Sequence, residues 1–221
     1  MRVLHIAYQQ LRRYGKTRVS WVEKLTFGMI KNDHYVQGFS DRDIAAFEAP
    51  FRLRDLGHRK ANQRLLEMAE AAQPDLVVAG HCDIITNDTL REIRRMHPSA
   101  LIVHANCDPL FVPSNVERIK SRATVCDAVF VTTGRRLLKQ FEGFGARVYH
   151  IPNPVEPSIE FLDNSLRTDL PTDLLFCSNA TKFTKRLEMV KYLKDSVAGE
   201  MNFRTYGSFG EPPVWGRDYD N

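Results

Sequence analysis

A short apolar run constrains this chain more than any other feature: "PDLVVAG" at 74–80, opened by Pro-Asp and stopped by a glycine. Four consecutive apolar residues are too few for a buried helix and leave no polar face, so the run reads as a strand covered on both sides. The pattern recurs. "RVLHIAY" (2–8), "ALIVHAN" (100–106), "CDAVFVTT" (126–133) and "RVYHIP" (147–152) are of the same kind, and "HYVQGF" (34–39) is a more exposed version.

Between these runs the apolar spacing turns helical. Residues 18–32 place Val19, Val22, Leu25, Met29 and Ile30 on one side, and 60–72 does so with Leu65, Leu66, Ala69 and Ala72. "TNDTLREIRRMHP" (86–98) has an Asn/Asp start, Leu90 and Ile93 inward, basic residues late and a proline stop. "SNVE" (114–117) has the form of a capping box, and "GRRLLKQFEGFG" (134–145) reads as a helix ended by Gly143. The polar, arginine-rich stretch before residue 60 is assigned no element.

Strands separated by helices predict an α/β chain with a Rossmann-like, doubly wound parallel sheet. This first domain is expected over 1–152. Residues 153–172, rich in proline and without periodicity, read as a linker. The pattern then restarts with "DLLFCSN" (173–179), a helix near 183–195 and "MNFRTYG" (201–207). Two strands rarely make a stable sheet alone, so 173–221 is expected either to pack against the first domain or to be only the start of something larger, an incomplete second Rossmann-like domain.

Composition narrows the function classes. Of 221 residues, 31 are Lys or Arg and 27 Asp or Glu, a net charge of +4. So mild an excess does not call for nucleic acid, and an anionic small molecule or a peripheral membrane contact fits it as well. No stretch holds 18 consecutive apolar residues and the N-terminus has no signal-peptide pattern, so a cytoplasmic protein is expected. Cys82, Cys107, Cys126 and Cys177 form no C-x-x-C pair and read as buried free thiols of a reducing compartment.

In a doubly wound sheet, ligands bind outside the carboxyl ends of the strands. Four segments fall there. "YGKTR" (14–18) follows the first strand, and Gly15-Lys16-Thr17 has the ending of a P-loop. A P-loop needs a glycine five residues before Gly15, and Gln10 stands there. A glycine turn beside an anion and a solvated basic loop both remain open; the basic residues oppose the helix dipole unless an anion sits with them. "GHCD" (80–83) and "HANCDP" (104–109) each bring a histidine, a cysteine and an aspartate to the same edge. Their spacing matches no zinc pattern, so no metal is expected, and His81 and Asp108 are candidates for a base or a hydroxyl-orienting group. A turn role for Asp108 before Pro109 competes. "SNATKFTKR" (178–186) gathers Lys182, Lys185 and Arg186 at a helix start, which suits a diphosphate or a solvated surface.

The order of these motifs, with "CDAVFVTTGRRLLKQFEGFGARVYHIPNPV" followed by "DLLFCSNATKFTKRLEMVKYL", resembles the GT-B glycosyltransferases, in particular the CgeB-like group. Pro152-Asn153-Pro154-Val155 matches the end of that family's N-terminal domain. The resemblance implies transfer of a sugar from a nucleotide diphosphate sugar to a hydroxyl of a glycan or lipid-linked acceptor, without bound metal or other cofactor. It implies Gly15, Lys16, Asn179, Lys182, Lys185 and Arg186 near the donor phosphates. His81 and Asp108 would be catalytic, with His104 and Asn106 on the acceptor side. The family's donor half continues through an acidic motif that is not found before Asn221. Activity from this chain alone is therefore doubtful on this reading, and a second chain completing the donor half is an expected partner. A non-catalytic Rossmann-like module, binding a glycan or pairing with a separate chain, is the alternative.

Overall fold

The structure, a computed structural model, describes residues 1–11, 20–177 and 184–206. It divides into two compact units, Met1–Phe161 and Leu162–Asn221. The first is a Rossmann-like α/β unit. Its strands are β1 (Arg2–Ile6), β2 (Tyr35–Phe39), β3 (Leu76–Ala79), β4 (Leu101–Asn106), β5 (Ala128–Val131) and β6 (Arg147–His150). All five pairings are parallel and the order is β2-β1-β3-β4-β5-β6. The chain leaves β1 in one direction and β3 in the other, so the switch point lies between these two strands.

The helices are α1 (Trp21–Lys31), α2 (Asp41–Glu48), α3 (His58–Ala72), α4 (Asn87–Met96) and α5 (Pro113–Ala123). One face of the sheet buries Leu4, Ile6, Val77, Ala79 and Ile102 against Leu65 and Ala69 of α3 and Leu90 and Ile93 of α4. The same face continues at β5, where Val129 and Val131 meet Val116 and Ile119 of α5 and Phe141. On the opposite face α1 covers Val3, Val78 and Ala105 with Trp21, Leu25 and Met29.

Four local expectations are corrected. The capping box lies at "SWVE", 20–23, where the Ser20 hydroxyl accepts from the Glu23 N–H and the Glu23 carboxylate accepts from Ser20. At 114–117 there is none: Pro113 opens α5 and puts Ser114 and Asn115 inside the first turn. Residues 135–141 form a 3₁₀-helix rather than an α-helix. The arginine-rich stretch contains α2, whose Asp41 and Asp43 are buried. Finally, two of the four thiols, Cys82 and Cys126, are buried, whereas Cys177 is exposed.

The segment after β6 carries no helix or strand through Asp173, but its first part is held. Glu156 is ion-paired to Lys31 and Glu160 to Lys24 at 2.5 Å, both lysines on α1. The second unit contains β7 (Leu174–Cys177), α6 (Thr184–Ser196) and β8 (Phe203–Tyr206). Its two strands are parallel, and Val190 of α6 is buried against Phe176 and Phe203.

Candidate functional site

The carboxyl edge of the sheet begins with backbone. Where β1 and β3 end, the Gly80 N–H donates to the Ile6 carbonyl and the Tyr8 N–H to the His81 carbonyl, so the two strands stay paired into their loops. This pairing delivers His81 above the switch point. One strand further on, β4 ends in Asn106, whose side-chain amide donates to the Asp108 carbonyl at 3.0 Å and turns the loop back.

The two loops bring His81 and Asp108 together. His81 Nδ1 lies 3.4 Å from Asp108 Oδ2, and Arg118 Nη2 of α5 lies 2.5 Å from the same oxygen. Arg118 also donates to the Asn115 side-chain carbonyl at 2.8 Å, which fixes its guanidinium. The His81 imidazole first, and then the charges on His81 and Arg118, hold the Asp108 carboxyl below the usual range, against the opposing effect of its partial burial. Asp108 is thus ionised at physiological pH.

Behind this pair, His104 is 3% exposed. Its Nδ1 lies 2.8 Å from the Ala79 carbonyl, which can only accept, so Nδ1 carries the proton and Nε2 holds a lone pair. Nε2 has no partner. Burial first, and then the positive charges of Arg122 and Arg118, push this imidazole down to about 4, so it is neutral at physiological pH. The space lined by His81, His104, Asn106, Asp108, Arg118 and Arg122 encloses only about 10 Å³, room for a single water.

The 80–86 loop is fixed from three sides. From α5, Arg122 donates to the carbonyls of Cys82 and Ile85 and to the Asn87 side chain at 2.7 Å. From α3, Asn62 donates to the Ile84 carbonyl and accepts from the Thr86 N–H. From α2, the Asp41 carboxylate accepts from the Ile84 N–H, and Arg42 pairs with Asp83 at 2.8 Å while stacking over the Tyr8 ring at 4.9 Å. Burial raises the Cys82 and Cys126 thiols to about 12, so neither is a thiolate nucleophile.

Of the residues singled out in the sequence, His81, Asp108, His104 and Asn106 therefore meet in one place. Lys185 and Arg186 lie exposed in the first turn of α6, in the second unit. Gly15, Lys16, Asn179 and Lys182 lie outside the described residues. Arg118 and Arg122 were missed: they stand ten and fourteen positions after Asp108, in a segment read only for the "SNVE" at its start. Among the described residues no group of three or more His, Cys, Asp or Glu side chains is placed to hold a metal ion, and no helix is long and apolar enough to cross a membrane.

What the fold and site define is a Rossmann-like α/β unit with a histidine–aspartate–arginine cluster at the carboxyl edge of its sheet. No protein-family model matches the chain, and no curated protein matches it either.

Proposed function

We propose that the chain is the acceptor-side domain, with the beginning of the donor side, of a GT-B-type glycosyltransferase. It would move a sugar from a nucleotide diphosphate sugar to a hydroxyl of a glycan or lipid-linked acceptor. The observation that carries this reading is the approach of His81 Nδ1 to Asp108 Oδ2 at 3.4 Å, at the carboxyl edge of a parallel sheet. With Nδ1–H turned to the carboxylate, Nε2 is the proton-accepting nitrogen, and the ionised Asp108 stabilises the imidazolium that forms. In an inverting transfer the acceptor oxygen bonds to the anomeric carbon, the bond from that carbon to the diphosphate oxygen breaks, and the hydroxyl proton passes to His81 Nε2. Lys182, Lys185 and Arg186 would meet the leaving diphosphate, as basic side chains at a helix start do for anions.

The test is thermal stabilisation of the chain by a panel of nucleoside diphosphates and their sugar conjugates. A ligand at a hundred times its dissociation constant adds about 2.7 kcal/mol. Stabilisation by one nucleotide, lost in the Lys182→Ala/Arg186→Ala double variant, supports the reading. Transfer or hydrolysis of the matching sugar nucleotide should then disappear in His81→Ala while nucleotide binding persists. Silence across the panel overturns a donor site in this chain.

The space beside His104 holds one water and no sugar, so a second reading is a non-catalytic module that pairs with a separate chain or binds a glycan elsewhere on its surface. That reading expects glycan binding without nucleotide binding, or a mass in solution that rises with concentration.

A further inference from the structure

The segment between α2 and α3 has a construction that the candidate site does not account for. Phe51 is 93% exposed, and Phe47, Leu53 and Leu56 are at least half exposed around it. Phe51 and Arg52 both adopt left-handed backbone, with φ of 54° and 57°, which is uncommon for residues with large side chains. The rest of the segment is pinned. Ala49 and Gly57 are buried, and Gly57 packs so closely on the Ala45 carbonyl of α2 that a side chain there would overlap it. Two consecutive strained residues, clamped at both ends, hold an aromatic ring out into water.

Cations stand close in sequence to these apolar tips. Arg52, Arg59 and Lys60 are exposed and form no ion pair with any described residue, whereas Arg54 is paired to Asp55 and Arg64 to Glu48. Arg59 and Lys60 stand in the first turn of α3, where the helix dipole favours anions over cations. Since α3 leads back to the start of β3, its N-terminus lies at the carboxyl edge of the sheet, the edge that carries His81 and Asp108.

We propose that residues 47–60 dock the chain on an anionic phospholipid surface, with Phe51 and its apolar neighbours entering the headgroup boundary and Arg52, Arg59 and Lys60 meeting lipid phosphates. The chemistry favours lipid over a protein partner. Exposed Phe51 and Leu53 flank Arg52, which has no ion pair among the described residues, a combination that suits a boundary with acyl chains below and phosphates beside.

The experiment is co-sedimentation of the full chain with vesicles of phosphatidylcholine containing phosphatidylglycerol, against phosphatidylcholine alone. The chain should pellet with the anionic vesicles only. Phe51→Ser should lower the partition coefficient roughly tenfold, the loss of one buried aromatic side chain. The double variant Arg59→Gln, Lys60→Gln should lower it roughly fivefold per charge. Unchanged melting of both variants shows that the fold is intact, and Phe51→Trp should show a blue-shifted emission component with anionic vesicles only. Absence of pelleting, equal pelleting with neutral vesicles, or indifference to Phe51→Ser overturns the proposal. A dimer broken by Phe51→Ser without vesicle binding overturns it in favour of self-association. Sugar transfer plays no part in these readouts, so failure here leaves the transferase reading standing.

Discussion

The carboxylate of Asp43 accepts a hydrogen bond from the backbone N–H of Leu11 at 2.8 Å, so a side chain of α2 holds the start of the loop between β1 and α1. Ser40 completes the arrangement: its hydroxyl donates to Asp43 at 2.6 Å and accepts from the Gln9 N–H at 3.0 Å. The loop that leads into Gly15 and Lys16 thus begins from a buried carboxylate. Asp43→Ala should cost about 2 kcal/mol, because it leaves the Leu11 N–H and the Ser40 O–H without their acceptor. Urea unfolding measures the loss, and amide exchange at Leu11 should accelerate more than exchange in the strands.

Arg122→Lys should not rescue Arg122→Met. The guanidinium serves the Cys82 and Ile85 carbonyls and the Asn87 side chain at once, a fork that an ammonium cannot span. Both variants should lose about 3 kcal/mol in urea unfolding, the cost of unpaired buried carbonyls.

Gly57→Ala should destabilise the first unit by about 3 kcal/mol, since the added methyl overlaps the Ala45 carbonyl oxygen and two backbones must part. The φ of Gly57 is −99°, so the cost comes from the close approach and not from backbone strain. Gly28→Ala is the control. Nothing lies within 4 Å of its added methyl, and helix propensity should make it neutral or stabilising.

Acid should act on three buried groups in opposite senses. Burial pushes the His5 and His104 imidazoles down to about 4 from 6.5. Their contribution to stability is present above 6.5 and is lost as pH falls through 4, about 3 kcal/mol each. Burial also raises Asp41 to about 6 from 3.8; its contribution is present below 3.8 and is lost as pH rises through 6. Between pH 6.5 and 4 the Asp41 gain therefore offsets part of the histidine loss. Asp41→Asn should show a steeper decline in urea-derived stability over that range than the unaltered chain.

Asp108→Asn tests the site without removing His81. The amide cannot stabilise an imidazolium, so any His81-dependent transfer should fall by about a hundredfold or more, within the range of general-base effects. A change in stability alone, with transfer intact, would mark Asp108 as a turn residue before Pro109.

The strands of the first unit were legible because they are short apolar runs, buried on both faces at β1, β3 and β4 and more exposed at the edge strands β2 and β6. Helix α2 was not legible. Its sequence, "DRDIAAFE", opens with two aspartates that look like solvated surface. Their burial depends on partners distant in the chain: the Leu11 N–H for Asp43 and the Ile84 N–H for Asp41. The capping box was sought at 114–117 and stands at 20–23, because Pro113 starts α5 one residue before its serine. At the site, His81 and Asp108 could be placed on one edge from strand order alone. Arg118 could not: its pairing depends on the angle at which α5 returns over β4, and no local pattern encodes that angle.

Arg122 and Asn62 have a mechanical consequence. By gripping the 80–86 loop from α5 and α3, they make the carrier of His81 move with the helix that carries Arg118, the partner of Asp108. The two loops are thereby tied to the same helix, α5, one by Arg122 and the other by Arg118. Displacing either loop alone would break its bonds to α5, so the separation of His81 from Asp108 is set by that one helix.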